Sequence, residues 1–236
     1  MSGLFSRIPL LICLPLWAAL SGCVSQRLPS IAHVHVGHVI SGWPDTPGKR
    51  GLFDNAQQDA RIAAEHAGYA VEGARNLPSV RMHLGHVMNV FDPVEEPVGP
   101  GSGYGLQRAL GGMADHLGYA VEVPDATPTL QAALRPLIAD LRQEQVEMRL
   151  LAGMARTARI QRSAAHVVAY AQEIRQRCDA LAARLDQWRG RLDAALTAEQ
   201  PPYRTVAEQY LFGLIRLPSG EWAFDPQLDP SRYGYY

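Results

Sequence analysis

Lysine is nearly absent from this chain: Lys49 is the only one, and arginine carries the rest of the positive charge. We read this bias as genome composition, not chemistry. With 22 basic against 23 acidic residues there is no cationic surplus, and no nucleic-acid partner is indicated. Cysteine is scarce too, limited to Cys13, Cys23 and Cys178. No Cys-x-x-Cys-His occurs, so covalent haem attachment is not expected. His-Glu-x-x-His is missing, as is any Ser or Cys in a nucleophile elbow. The glycine-rich stretch 99–105 follows no strand and lacks a Gly-Lys-Ser/Thr ending, so it reads as a connector and not a phosphate loop.

The one long apolar run lies at the N-terminus. Arg7 precedes it, residues 8–20 form it, and it is too short to span a bilayer. It ends Leu20-Ser21-Gly22-Cys23, which resembles the signal of bacterial lipoproteins. The resemblance implies cleavage before Cys23, a lipid (palmitate among its chains) on that cysteine, and a membrane-tethered protein facing the periplasm. Val24, standing where such signals can carry Asp, implies the outer membrane. An ordinary secretory peptide with an incidental cysteine is the competing reading. With Cys13 removed and Cys23 acylated, the mature chain keeps Cys178 as its lone unmodified thiol, which leaves no intramolecular disulfide framework.

What the chain does have is a duplication. Residues 28–40 and 77–88 match after one insertion: both open Leu-Pro-Ser and both end in a Gly-His-Val step. Each is followed by a Gly/Pro-rich connector and then by a second matching stretch, 66–72 and 116–122, of the form His-x-Gly-Tyr-Ala-Val-Glu. A repeat of roughly 45 residues is the size of a helical unit. Pro29 and Pro78 suit first helical turns, so 29–40 and 78–91 read as short helices, with 54–74 and 104–122 as longer ones. The His/Val alternation from His33 to Val36 also fits a strand, but the second copy lacks it. The expected fold is all-α, with duplicated αα-hairpins forming a four-helix bundle.

From Pro128 the pattern becomes narrow seams. Leu130, Leu134, Leu137, Leu141, Met148, Leu151 and Ala155 recur in steps of four and three, interrupted at Glu144. A second, uninterrupted seam runs Val167, Ala171, Ile174, Cys178, Leu181, Leu185, Trp188 and Leu192. They are out of phase, which predicts a long helical hairpin with Ser163 capping its second helix. One bent helix is the alternative. Cys178 on a seam reads as an inert core thiol. The seven-residue arginine repeats (Arg135, Arg142, Arg149, Arg156; Arg177, Arg184, Arg191) read as solvated flanks, with an acidic partner or lipid headgroups as a minority reading. Residues 214–224 suggest a β-hairpin within an otherwise irregular tail. The expected divisions are thus 1–22 signal, 23–125 bundle, 126–198 hairpin and 199–236 tail.

Six of the eight histidines fall at equivalent places in the two copies: His35, His38 and His66 against His83, His86 and His116. The long-helix histidines have apolar or small neighbours one turn away, and His83 and His86 are three apart, so both rings can reach one ion. Neutral imidazoles without Cys and with few inward carboxylates suit copper or zinc better than calcium or magnesium. Met82, Met88 and Met113 would favour reduced copper, and non-covalent haem b between facing histidines stays open. Glu65 and Asp115 sit about 100° round the helix from His66 and His116, so they fit as outer partners and not as ligands. His33 has no counterpart, and His166 reads as structural or solvent-facing.

By these histidine pairs, the Asp92-Pro93 and Gly-Pro-Gly-Ser-Gly-Tyr-Gly connector and the N-terminal signal, residues 28–122 resemble uncharacterised His-rich helical lipoproteins exported by proteobacteria. More loosely they resemble small periplasmic four-helix metal-binding proteins. The resemblance implies further histidine pairs in the following helix, where this chain has Ala133 and Pro136. Two functions compete: a non-enzymatic metal-binding or haem-binding lipoprotein, and a structural lipoprotein that docks another envelope protein and whose histidines only pack. A metallohydrolase would need a general base that no motif places. For the anchor, Cys23→Ala should release the protein from membranes or leave it uncleaved. Wild-type fractionation of that variant would refute lipidation.

Overall fold

Local chemistry at the helix starts sets the chain's turns. In the computed structural model the described residues are 31–198 and the backbone of three short strands near the C-terminus. The expected signal, Cys23 and most of the expected irregular tail lie outside them. Through residue 198 the fold is all-α: α1 (Ile31–Ile40), α2 (Leu52–Glu72), α3 (Leu77–Phe91), α4 (Leu106–Glu122), α5 (Pro128–Ile160) and α6 (Ala164–Ala198). Asn76 caps α3 by accepting from the Ser79 amide, and Thr127 caps α5 by accepting from the Leu130 amide at 3.1 Å. Pro78 and Pro128 occupy first-turn positions, where a missing N–H costs nothing. Ser163 Oγ accepts from the His166 amide, as its expected capping role requires. Pro136 lies inside α5 without ending it.

α1 is capped from a distance. Asp125, which follows α4, accepts from the backbone amides of Ile31 at 2.6 Å and Ala32 at 3.1 Å. Its carboxylate also complements the positive end of the helix dipole. The strand alternative for His33–Val36 gives way to helix, and α1 is buried on several sides, which is why it shows little amphipathic periodicity. At Gly51 the backbone of Ile40 passes so close that a Cβ would sit 2.6 Å from its carbonyl carbon. Only glycine lets the end of α1 meet the start of α2 there.

The two long repeat helices, α2 and α4, pack on each other. Each short helix then packs chiefly on the long helix of the other repeat: α1 on α4, and α3 on α2. The expected hairpin forms, with α5 against α4 and α3, α6 against α2, and α5 and α6 against each other. One apolar core runs through all six helices. The division expected at 125–126 therefore separates two sets of helices and not two cores. Every apolar residue of both seams is buried. Burial pushes the Cys178 thiol up to about 12, so the lone thiol is an inert core residue.

Many arginines of the hairpin, in the repeats and beside them, pair inside the molecule. Arg142 pairs with Asp115, Arg156 with Glu95 at 2.7 Å, Arg159 with Glu96, and Arg189 with Asp54 at 3.0 Å. These exposed pairs add little stability each, but they tie the hairpin to the bundle and the 92–105 connector. Arg177 and Arg191 bridge α6 to α5 through Glu147 and Asp140. In the tail, β1 (Tyr210–Leu211), β2 (Leu214–Arg216) and β3 (Trp222–Phe224) form an antiparallel sheet in that order. The β2–β3 pair is the expected hairpin.

The break in the first seam has a cause. Glu144 is buried and accepts two hydrogen bonds from Arg184, each 2.9 Å, in a fork-to-carboxylate pair across the hairpin. Arg184→Ala would strand that carboxylate, so it should destabilise the protein by about 1–3 kcal/mol. Glu144→Leu with Arg184→Leu, which completes the apolar seam, should restore most of the loss in chemical denaturation. A single arginine variant as stable as wild type would contradict this role.

Candidate metal centres

The crossed packing of the repeats sorts the six histidines into two sets of three. His35 and His38 on α1 meet His116 on α4. His83 and His86 on α3 meet His66 on α2. In each set the candidate ligand nitrogens all lie within 4.8 Å of one another. Each short helix supplies two rings one turn apart, and the long helix of the other repeat supplies the third. All six predicted residues are thereby placed, three per centre.

The rings converge through Nδ1. The Nδ1 atoms of His35 and His116 are 3.3 Å apart, and those of His38 and His116 are 3.4 Å apart. In the second set His66 lies 3.0 Å from His83 and 3.2 Å from His86. A neutral ring nitrogen carries either one proton or one lone pair, never both. The central histidine therefore cannot satisfy both neighbours with well-aligned hydrogen bonds by any choice of tautomers. A cation can, because it accepts three lone pairs at one point. Zinc–nitrogen bonds of about 2.0–2.1 Å in a tetrahedron hold neighbouring nitrogens about 3.3–3.4 Å apart, which is close to the separations here. Three protein ligands leave the fourth position for a further donor.

The electrostatics keep these rings in the ligand-competent state. Burial lowers His35 to about 4, against the pull of Asp125. Burial, then the neighbouring His116 and His35, lowers His38 to about 3. Burial and His35 lower His116 to about 4, opposed by Asp115. His66 and His83 are also lowered, by burial first and then by neighbouring imidazoles. Such groups are neutral at pH 7, with a lone pair available.

Aromatic rings surround the histidines. Tyr119 lies against His35 and His116, with centroids 5.3 and 6.0 Å away, and Tyr69 lies against His66 and His83 at 5.5 and 5.3 Å. The tyrosines are a copied pair, one turn after each long-helix histidine, so the duplication itself could have singled them out. Trp43 packs on His38 and His116 at 4.7 and 4.5 Å. It comes from the connector after α1, and no sequence signal marked it. Nor did any signal mark Asp125, which fixes the start of the helix carrying His35 and His38.

Other expected contributors fall elsewhere. Glu65 accepts from the Tyr69 hydroxyl, so it supports the second triad through that ring, while Asp115 is drawn to Arg142. Met113 lies in the core, the Met88 sulfur faces Arg159 at 3.6 Å, and Met82 is exposed. His33 is buried on α1 outside both triads, and His166 is exposed. Among the described residues no helix is long and apolar enough to cross a membrane. No protein-family model, curated protein or solved structure matches the chain.

A pH dependence follows for the metal-free protein. In the unfolded chain these imidazoles take up protons near the ordinary value of about 6.5, while the folded first triad resists until about 4 or below. Between those limits the unfolded state binds more protons, so stability falls as pH falls. The thermal midpoint of metal-free protein should be near its maximum above pH 7 and drop steeply from pH 6.5 toward 4. His38→Asn and His116→Asn together should flatten that drop. A flat profile in the wild type would contradict buried neutral triads.

Proposed function

We propose that this chain is a lipid-anchored protein of the bacterial envelope that holds two transition-metal ions, one in each histidine triad, and does not turn over a substrate. The observation that carries the reading is the double convergence of three Nδ1 atoms at 3.0–3.4 Å, built twice from a duplicated sequence. Duplication alone would copy a packing histidine as readily as a ligand, so the weight of the reading falls on the nitrogens' convergence and not on its recurrence.

Three imidazoles and no thiolate suit zinc(II) or copper(I), both of which accept a three- or four-coordinate nitrogen set without a strong directional preference. Haem b suits the geometry poorly. A porphyrin must lie between its axial ligands, and nitrogens already this close leave no slot for a macrocycle. The carboxylates next to the long-helix histidines are engaged by Tyr69 and Arg142, which supports storage or transfer of an ion over hydrolysis. The anchor rests on the Cys23 signal. Seven residues, 24–30, separate Cys23 from α1, so a lipid there would hold the start of that helix within roughly 30 Å of the membrane surface.

Metal content decides between this reading and the envelope-docking one. Untagged mature protein, dialysed and measured by elemental analysis, should retain two zinc or copper ions per chain. His66→Asn and His116→Asn should each retain one, the double variant none, and His166→Asn two. A protein that carries no metal and refuses added copper and zinc would leave the histidines as packing residues and hand the case to a docking role.

A further inference from the structure

The two triads share their ligands' chemistry but not their surroundings. His35 and His116 are only 1% and 6% exposed, and the indole of Trp43 lies across both His38 and His116. The backbone that carries this indole is held at both its amide and its carbonyl. The Trp43 amide donates to the Arg50 carbonyl at 3.1 Å, and the Thr46 hydroxyl donates to the Trp43 carbonyl at 2.8 Å. In the second triad all three histidines are only partly buried. Among the described residues Tyr69 is its one aromatic neighbour outside the triad, and it is the counterpart of the Tyr119 that the first triad also has. Among the described residues no ring there takes the place of Trp43.

Resting on the metal reading above, we propose that the triads are a closed site and an open one. His35, His38 and His116 form a closed centre that Trp43 shields from incoming donors. His66, His83 and His86 form an open centre whose fourth position takes a small exogenous ligand and through which metal enters and leaves. Exchange at a three-histidine centre proceeds when an incoming donor reaches the ion before a histidine lets go. Access to the ion therefore controls the rate, and the apolar cover around a centre controls access.

The test uses the full mature chain loaded with two equivalents of zinc and challenged with the chelator 4-(2-pyridylazo)resorcinol. Release should be biphasic, with one ion leaving at least an order of magnitude faster than the other. His66→Asn should remove the fast phase and His116→Asn the slow one, with helicity unchanged in circular dichroism. Trp43→Ala should quicken the slow phase and spare the fast one. A second readout uses cobalt(II) in the same two variants: azide should shift the visible bands of His116→Asn protein, which keeps the open site, and leave His66→Asn protein unchanged. Two bound ions released at one rate, a fast phase lost with His116→Asn, a slow phase indifferent to Trp43→Ala, or azide acting on both variants would overturn the proposal while leaving the metal reading intact. A wild-type chain that holds no metal would overturn both.

Discussion

Three imidazole nitrogens meeting at a point is a costly arrangement without something at the point. Neutral rings cannot give the central nitrogen well-aligned hydrogen bonds to both neighbours, and charged rings would repel one another in a buried site. The structure makes this arrangement twice, so the rest of the bundle has to hold it. It does so by crossing the repeats. A histidine pair on one short helix can converge with a third ring only if the long helix of the other repeat is alongside, and the α2–α4 contact with its two flanking short helices supplies that. Each repeat alone would carry an incomplete centre.

The parts of the chain without histidines serve the same geometry. α5 and α6 close the core over α4 and α2, and their buried seams pack against the long helices in one shared apolar core. Asp125 pins the start of α1 from the end of α4, the same helix that carries His116, so one short connection fixes two of the three elements around the first triad. On the outside, Arg142, Arg156, Arg159 and Arg189 fasten the hairpin to the bundle. Arg142 and Arg156 belong to the first arginine stripe, and both are paired within the chain.

Much of this was legible in the sequence because duplication and seam periodicity are strong signals. The six histidines stood out by matched position. The seam residues were identifiable because a helix flanked on one side buries every third and fourth residue, and even the exception at Glu144 marked a real event, its ion pair with Arg184. What could not be read was which histidines share a centre. That depends on how the repeats cross, a tertiary fact with no local trace. Trp43 was hidden for the same reason: it lies in a connector, has no copy, and reaches the first triad only through the fold. Asp125 is a short acidic residue in a turn, and its role as a remote cap exists only once α1 is laid beside α4. Met88, two residues past His86, is turned about 200° round its helix and meets Arg159, while Met113, one turn before His116, is taken up by the apolar core.

The central claim is that each ion is held by three imidazoles from crossed repeats. X-ray absorption at the metal edge of the as-isolated protein examines it directly. The account predicts a first shell of nitrogen at about 2.0 Å for zinc, with the outer-shell pattern of three imidazole rings per ion and one light donor beyond them. A shell dominated by sulfur or by carboxylate oxygen, or fewer than two imidazoles per ion, would contradict it.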